Sequence, residues 1–150
     1  MPLPTRMVAA IAVAMLSVVG LVWYMQSLSV EPEAAPIVTV PEITFERADT
    51  NEERERGLSG RAEVPHNYAM LFVFDTPARY GFWMKDMRTS IDIIWLDENH
   101  VVTKVDEAIL PSTFPTLFYP PTPTRFVLET AAGQAKVLGW MPGVSVALPL

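Results

Sequence analysis

Large flat side chains alternate with both signs of charge in Phe82-Trp83-Met84-Lys85-Asp86-Met87-Arg88, and Ser90-Ile91-Asp92 follows at once. In an extended segment Phe82, Met84 and Asp86 face one way, and Trp83, Lys85 and Met87 the other. Lys85 and Arg88 then stand where they could hold an anion or a carboxylated ligand above a Trp83 floor. The plainer reading makes Phe82 and Met84 core, Trp83 a half-exposed cover, and Lys85 a partner for Asp86 or Asp92. Asp92 sits inside the apolar run Ile91–Leu96, so its carboxylate must find a partner, with Arg61 or Lys85 available. Glu129, directly after Phe126-Val127-Leu128, poses the same question. Two such carboxylates divide acid and base duties when they lie together and their pKa values differ.

Other chemistries find little support. Gly57-Leu58-Ser59-Gly60-Arg61 nearly spells a GxSxG elbow, but Arg61 holds the last position and a helix, not a strand, precedes it. Ser59 therefore reads as a polar residue in a helix-ending turn. Cysteine is absent, which excludes disulfides, zinc ribbons and thiol nucleophiles. His66 and His100 fall in separate loops, and Asp92, Asp97 and Asp106 lack the spacing of a calcium loop, so neither metal nor cofactor is expected. Eleven Lys and Arg against 17 Asp and Glu give a net charge of −6, a poor match for phosphate backbones and hence for nucleic acid. The balance leans against an enzyme.

The elements that must position these residues begin with an anchor. Met7–Met25 is interrupted only by Ser17 and Gly20. As a helix this run spans ~28 Å, close to the ~30 Å hydrocarbon core of a bilayer. Arg6 precedes it, and Trp23 and Tyr24 fall at its exit, where amphipathic rings favour the headgroup layer. Residues 1–25 are thus expected to be a single transmembrane helix in the inner membrane, N-terminus cytoplasmic, with the rest periplasmic. A cleaved signal peptide ending near Ser27-Leu28-Ser29 is the alternative. Residues 26–41, with Pro32, Pro36 and Pro41, form a semi-extended linker in which Ile37–Val40 could open a first strand.

Residues 42–150 read as one mainly β (α+β) domain, compact, antiparallel and partly closed, with one or two short helices. Strands are expected at Ile43–Ala48, Ala69–Asp75, Tyr80–Lys85, Ile91–Leu96, Val101–Ile109, Arg125–Glu129 and Val144–Leu148. Thr50 and Glu53 form a capping-box pattern for a helix ending at Gly57 or Gly60. A second helix is expected over Ala131–Leu138. Five prolines between Pro111 and Pro123, together with Phe114, Leu117, Phe118 and Tyr119, predict a long aromatic loop.

Four blocks, in order, resemble the DUF192 family of uncharacterised exported bacterial and archaeal domains. They are Ala48-Asp49-Thr50 with Arg56-Gly57-Leu58 and Arg61; Ala69-Met70-Leu71-Phe72-Val73-Phe74; Phe82-Trp83-Met84-Lys85 with Ile91-Asp92-Ile93-Ile94; and Phe126-Val127-Leu128-Glu129 with Ala132-Gly133. The resemblance covers about residues 42–148 and implies a one-piece, mostly β domain, with no activity attached. It also implies that Arg61, Lys85, Asp92 and Glu129 share a pocket beside Trp83. Departures from the family pattern are Ser59, Ala69, Asp86-Met87, Gly143-Val144 and the Pro/aromatic loop, and they put any family chemistry in doubt for this copy.

Two functions follow as expectations. In the first, the anchored domain is a non-catalytic accessory subunit of a larger inner-membrane complex, a bioenergetic one in its narrowest form, and presents Phe114, Leu117, Phe118 and Tyr119 to a partner. In the second, Arg61, Lys85, Asp92 and Glu129 line a cleft over Trp83 that binds or hydrolyses a glycan or peptidoglycan fragment.

Overall fold

The computed structural model describes residues 42–150. The expected transmembrane helix with Trp23 and Tyr24, the linker and the early strand at Ile37–Val40 lie outside the described residues. No helix among the described residues is long and apolar enough to cross a membrane.

Five strands form one sheet: β1 (Thr44–Ala48), β2 (Tyr68–Ala78), β3 (Ile91–Leu96), β4 (Val102–Ile109) and β5 (Thr124–Ala131), in the order β1-β2-β5-β3-β4. All pairs are antiparallel except β1 with β2, which is parallel. A parallel pair needs a crossover, and helix α1 (Asn51–Arg56) supplies it. A second helix, α2 (Gln134–Val137), follows β5, and Pro111–Thr113 make a single 3-10 turn after β4. The sheet is open, ending in β1 and β4, so the expected partial closure is not found: these two edge strands do not pair.

The continuous apolar run of β3, Ile-Asp-Ile-Ile-Trp-Leu, is buried at every position, as suits a strand covered on both faces. One face packs Phe72, Phe74, Phe82, Met84, Ile93, Trp95 and their neighbours under α1 and the segment after β2. The other packs Leu71, Ile94, Leu96, Phe126, Leu128 and Trp140 under α2 and the C-terminal segment. Each large side chain so buried contributes about 1.5–3 kcal/mol. Trp95, fully buried, also donates Nε1–H to Asp106 Oδ2 at 2.7 Å, so its polar edge is not left bare.

Three expected elements differ. Tyr80–Lys85 is not a strand: it crosses the sheet face and pairs only at Phe82, whose backbone exchanges two hydrogen bonds with Phe118 at 2.9 and 2.8 Å. Val144–Leu148 likewise makes one bridge, Ser145 with Val101. The second helix shrinks to Gln134–Val137 because β5 runs on to Ala131 and Gly133 then adopts φ 79°. β2 carries an irregularity between Val73 and Ala78, which frees two carbonyls from the ladder. Arg54 reaches Val73 O at 2.7 Å and Arg125 reaches Phe74 O at 3.0 Å to satisfy them.

Candidate functional site

The site begins with a helix start. Thr50 Oγ1 accepts from Glu53 N–H at 3.2 Å and Glu53 Oε2 accepts from Thr50 N–H at 3.1 Å, the reciprocal box that its sequence pattern predicts. Seven residues after Thr50, α1 is closed by Gly57, with φ 49° and ψ −134°. A Cβ there would stand 3.3 Å from Glu129 Oε2 and 3.3 Å from Phe72 Cζ. Glycine is thus required twice, for the backbone conformation and for the close approach to β5 and β2. Leu58, 1% exposed, then drops into the core.

Under α1 lies a pocket of about 260 Å³. Its walls are aromatic: Phe72 and Phe74 of β2, then Tyr80, Phe82 and Trp83. Phe82 stands edge-on to Phe72 at 4.8 Å and to Phe74 at 6.4 Å, and Tyr80 stacks on Phe74 at 3.6 Å. Arg54, Glu55 and Arg56 contribute from the helix above, and Glu129 reaches in from β5. Glu129 is 5% exposed, and its Oε2 has no hydrogen-bond partner. Burial pushes its carboxyl up to about 8, against the Leu58 backbone N–H and the Arg61 charge, which both favour ionisation. A buried polar atom without a partner costs about 1–3 kcal/mol.

Arg61 does not meet Asp92. It grips Glu46 of β1 through Nη2, at 2.7 and 2.8 Å to the two carboxylate oxygens, and its guanidinium lies 5.2 Å over the Tyr68 ring. Tyr68 donates to the same carboxylate at 2.7 Å. Hydrogen bonds from Arg61 and then Tyr68 hold the Glu46 carboxyl below its usual range, while burial and then the bond to Glu46 raise the Tyr68 hydroxyl. Lys85 likewise has no ion pair with Asp86 or Asp92; its ammonium sits 5.8 Å from the Trp83 ring, beside a shallow hollow also lined by Glu52, Ser59 and Asp86. Phe82 and Met84 are buried and Trp83 is half-exposed, as the plainer reading had it.

Asp92 is fully buried and satisfied by backbone alone. Its Oδ1 accepts from Ala108 N–H at 2.8 Å and Gly133 N–H at 3.0 Å, and its Oδ2 from Ala135 N–H at 3.0 Å. It ties the end of β4 to the start of α2. Register puts Asp92 opposite Thr130 and Glu129 opposite Ile93, so the two carboxylates point to opposite faces of the sheet. The expected acid/base pair, and the common pocket for all four polar residues, are therefore not formed: Glu129 alone enters the pocket, with Trp83 at its wall.

The Pro/aromatic loop takes its expected place and crosses beside the pocket. Phe114, Leu117 and Tyr119 are 45, 43 and 40% exposed, whereas Phe118 turns inward to the first core. Trp83 meets Phe114 edge-on at 5.9 Å. A Cβ on Gly81 would lie 2.9 Å from Tyr119 Cε1, so the loop seats directly on that glycine. Ser59 Oγ donates to Lys85 O at 2.8 Å, holding the turn that ends the helix. His66 Nδ1 lies 3.1 Å from Gln134 Oε1, and His100 packs edge-on to Phe126 at 4.9 Å. Among the described residues no three His, Asp or Glu side chains gather as a metal set. Residue reasoning missed the pocket's wall, Phe72, Phe74 and Tyr80, and the role of Gly57; the Arg-Gly-Leu block beside a strand ending in Glu129 was the signal for it.

Residues 36–148 match the model of DUF192, a family described as "Uncharacterized ACR". A crystal structure of a protein of unknown function from Novosphingobium aromaticivorans DSM 12444 is 30% identical, with a TM-score of 0.67, covering 71% of this chain and 75% of that one. Another, of a candidate transcription regulator from Sinorhizobium meliloti 1021, is 29% identical with a TM-score of 0.64, covering 67% of this chain and 78% of that one. No curated protein matches the chain.

Proposed function

The chain belongs to the DUF192 family, and we propose that its β domain binds a small molecule in the aromatic pocket under α1, with Glu129 as the anchoring group. One observation carries this reading: a nine-tenths-buried carboxyl with an unpartnered oxygen at a cavity walled by aromatic side chains. Folding alone gains nothing from that arrangement, and a ligand that supplies the missing hydrogen bond does. The acidic balance, −6, argues against carrying DNA regulation over from the Sinorhizobium relative. Fragment titration followed by amide and methyl NMR tests the reading. Perturbations should converge on Gly57, Leu58, Phe72 and Phe82; hits confined to other surfaces, or none, would overturn it.

A second reading has its own support. Phe114, Leu117 and Tyr119 of the 111–123 loop are exposed, and Phe114 meets Trp83, itself 45% exposed. Such a patch suits an accessory subunit held at the outer face of the inner membrane by the expected anchor, a bioenergetic complex being the narrowest version. Gentle detergent extraction and native sizing check it: co-migration with a larger assembly, lost when Phe114 and Leu117 become serine, is the supporting result, and a lone monomer the opposing one.

A further inference from the structure

We infer that the pocket's occupant is a small organic ammonium ion, held by Glu129 and by the aromatic lining of Phe72, Tyr80 and Phe82. The inference rests on the pocket reading above and names its ligand class. Three features select a cation over a neutral or anionic guest. The unpartnered Glu129 Oε2, once ionised, can accept but not donate, so it repels carboxylates, and an ammonium N–H adds charge attraction to the hydrogen bond that a neutral O–H would also make. Ring faces carry negative quadrupole density, and a cation over a desolvated face gains about 2 kcal/mol that an alcohol does not. This aromatic group already holds one positive charge, since the Arg54 guanidinium carbon lies 5.3 Å over Phe74.

The surrounding charges permit a second. Arg54 is committed to Val73 O and to Asn51 Oδ1, both at 2.7 Å, and Glu55 and Arg56 bring one charge of each sign to the lining. Arg61, the next cation, is neutralised by Glu46 at 2.7 Å. Tyr80, the remaining titratable group at the wall, donates its hydroxyl to Thr76 O at 2.7 Å. None of these groups competes for Glu129 Oε2. An ammonium ion would pair with the ionised carboxylate, and the proton that Glu129 carries at neutral pH would pass to the buffer. Binding and proton release are one event.

The test is calorimetric titration of the full-length chain with benzylammonium, benzyl alcohol and benzoate, between pH 6 and 8 and in two buffers of different ionisation enthalpy. The expected result is that benzylammonium binds at least about tenfold more tightly than the alcohol, and that benzoate does not bind. Its affinity should rise up to about tenfold per pH unit and level off near pH 8, with close to one proton released at pH 7. Glu129→Gln should abolish the pH dependence; if that variant fails to fold, the three-ligand comparison still decides. Equal or tighter binding of the alcohol or benzoate overturns the ammonium inference and leaves the pocket reading standing. No binding of benzylammonium at millimolar concentration, or affinity independent of pH, also overturns it, while the fragment titration judges the pocket separately.

Discussion

Asp92 and Glu129 lie on adjacent strands, both buried, on opposite faces of one sheet. Asp92 is surrounded by three backbone N–H groups that were going to need acceptors anyway, at a bulged strand end and a helix start. Glu129 has aromatic rings, a helix-ending glycine and an oxygen with no partner. The difference teaches how to read a buried acid. A carboxylate whose bonds are filled by its own backbone holds the fold together, and one whose bonds are unfilled beside a cavity has been kept for something else.

The contrast breaks most easily at Asp92. Asp92→Ala leaves three inward-facing amides without an acceptor and should cost about 3–5 kcal/mol in chemical denaturation; a loss under 1 kcal/mol would erase the distinction. Next comes the pH dependence of stability. The folded chain keeps on Glu129, up to about pH 8, a proton that the unfolded chain releases near 4.5. The stabilising contribution of the neutral carboxyl is therefore full below about 4.5 and declines as pH rises to about 8. The slope approaches 1.4 kcal/mol per unit at most. Glu129→Gln should flatten that slope and leave the variant more stable than the parent at pH 8. Gly57→Ala should cost about 1–3 kcal/mol through its positive φ and narrow the pocket, which thermal melts and fragment titration together would register. The smallest effect belongs to Arg61→Met: its pair with Glu46 is partly exposed, 33 and 43% for the two side chains, so the change should stay within about 1 kcal/mol.

Much of the frame was legible in the residues. The Thr50 box, β3 with its bounds at Ile91–Leu96, the burial of Phe82 and Met84 and the proline-rich loop all rest on local chemistry, and each was found where local chemistry puts it. The misreadings share a cause. Alternation in Tyr80–Lys85 describes any extended segment with one side on a core, so it could not separate a ladder strand from one lying across the sheet. Asp92 was matched to arginine or lysine because only side chains appear as letters, while its true partners are peptide N–H groups. Arg61 found Glu46 through the parallel pairing of β1 and β2, which no short-range pattern announces. Glu129's isolation depends on which face its strand turns to the helix, and that follows from long-range register.

Helix α1 buries none of its own side chains. It is fastened by Arg54 to the irregular stretch of β2 and by Leu58 beyond its end, and both connections run into neighbouring strands. A short helix so held can breathe on its two ends without disturbing the sheet beneath. Deuterium should reach the amides of α1 well before those of β2 and β5, and a guest lodged below should slow that early exchange selectively.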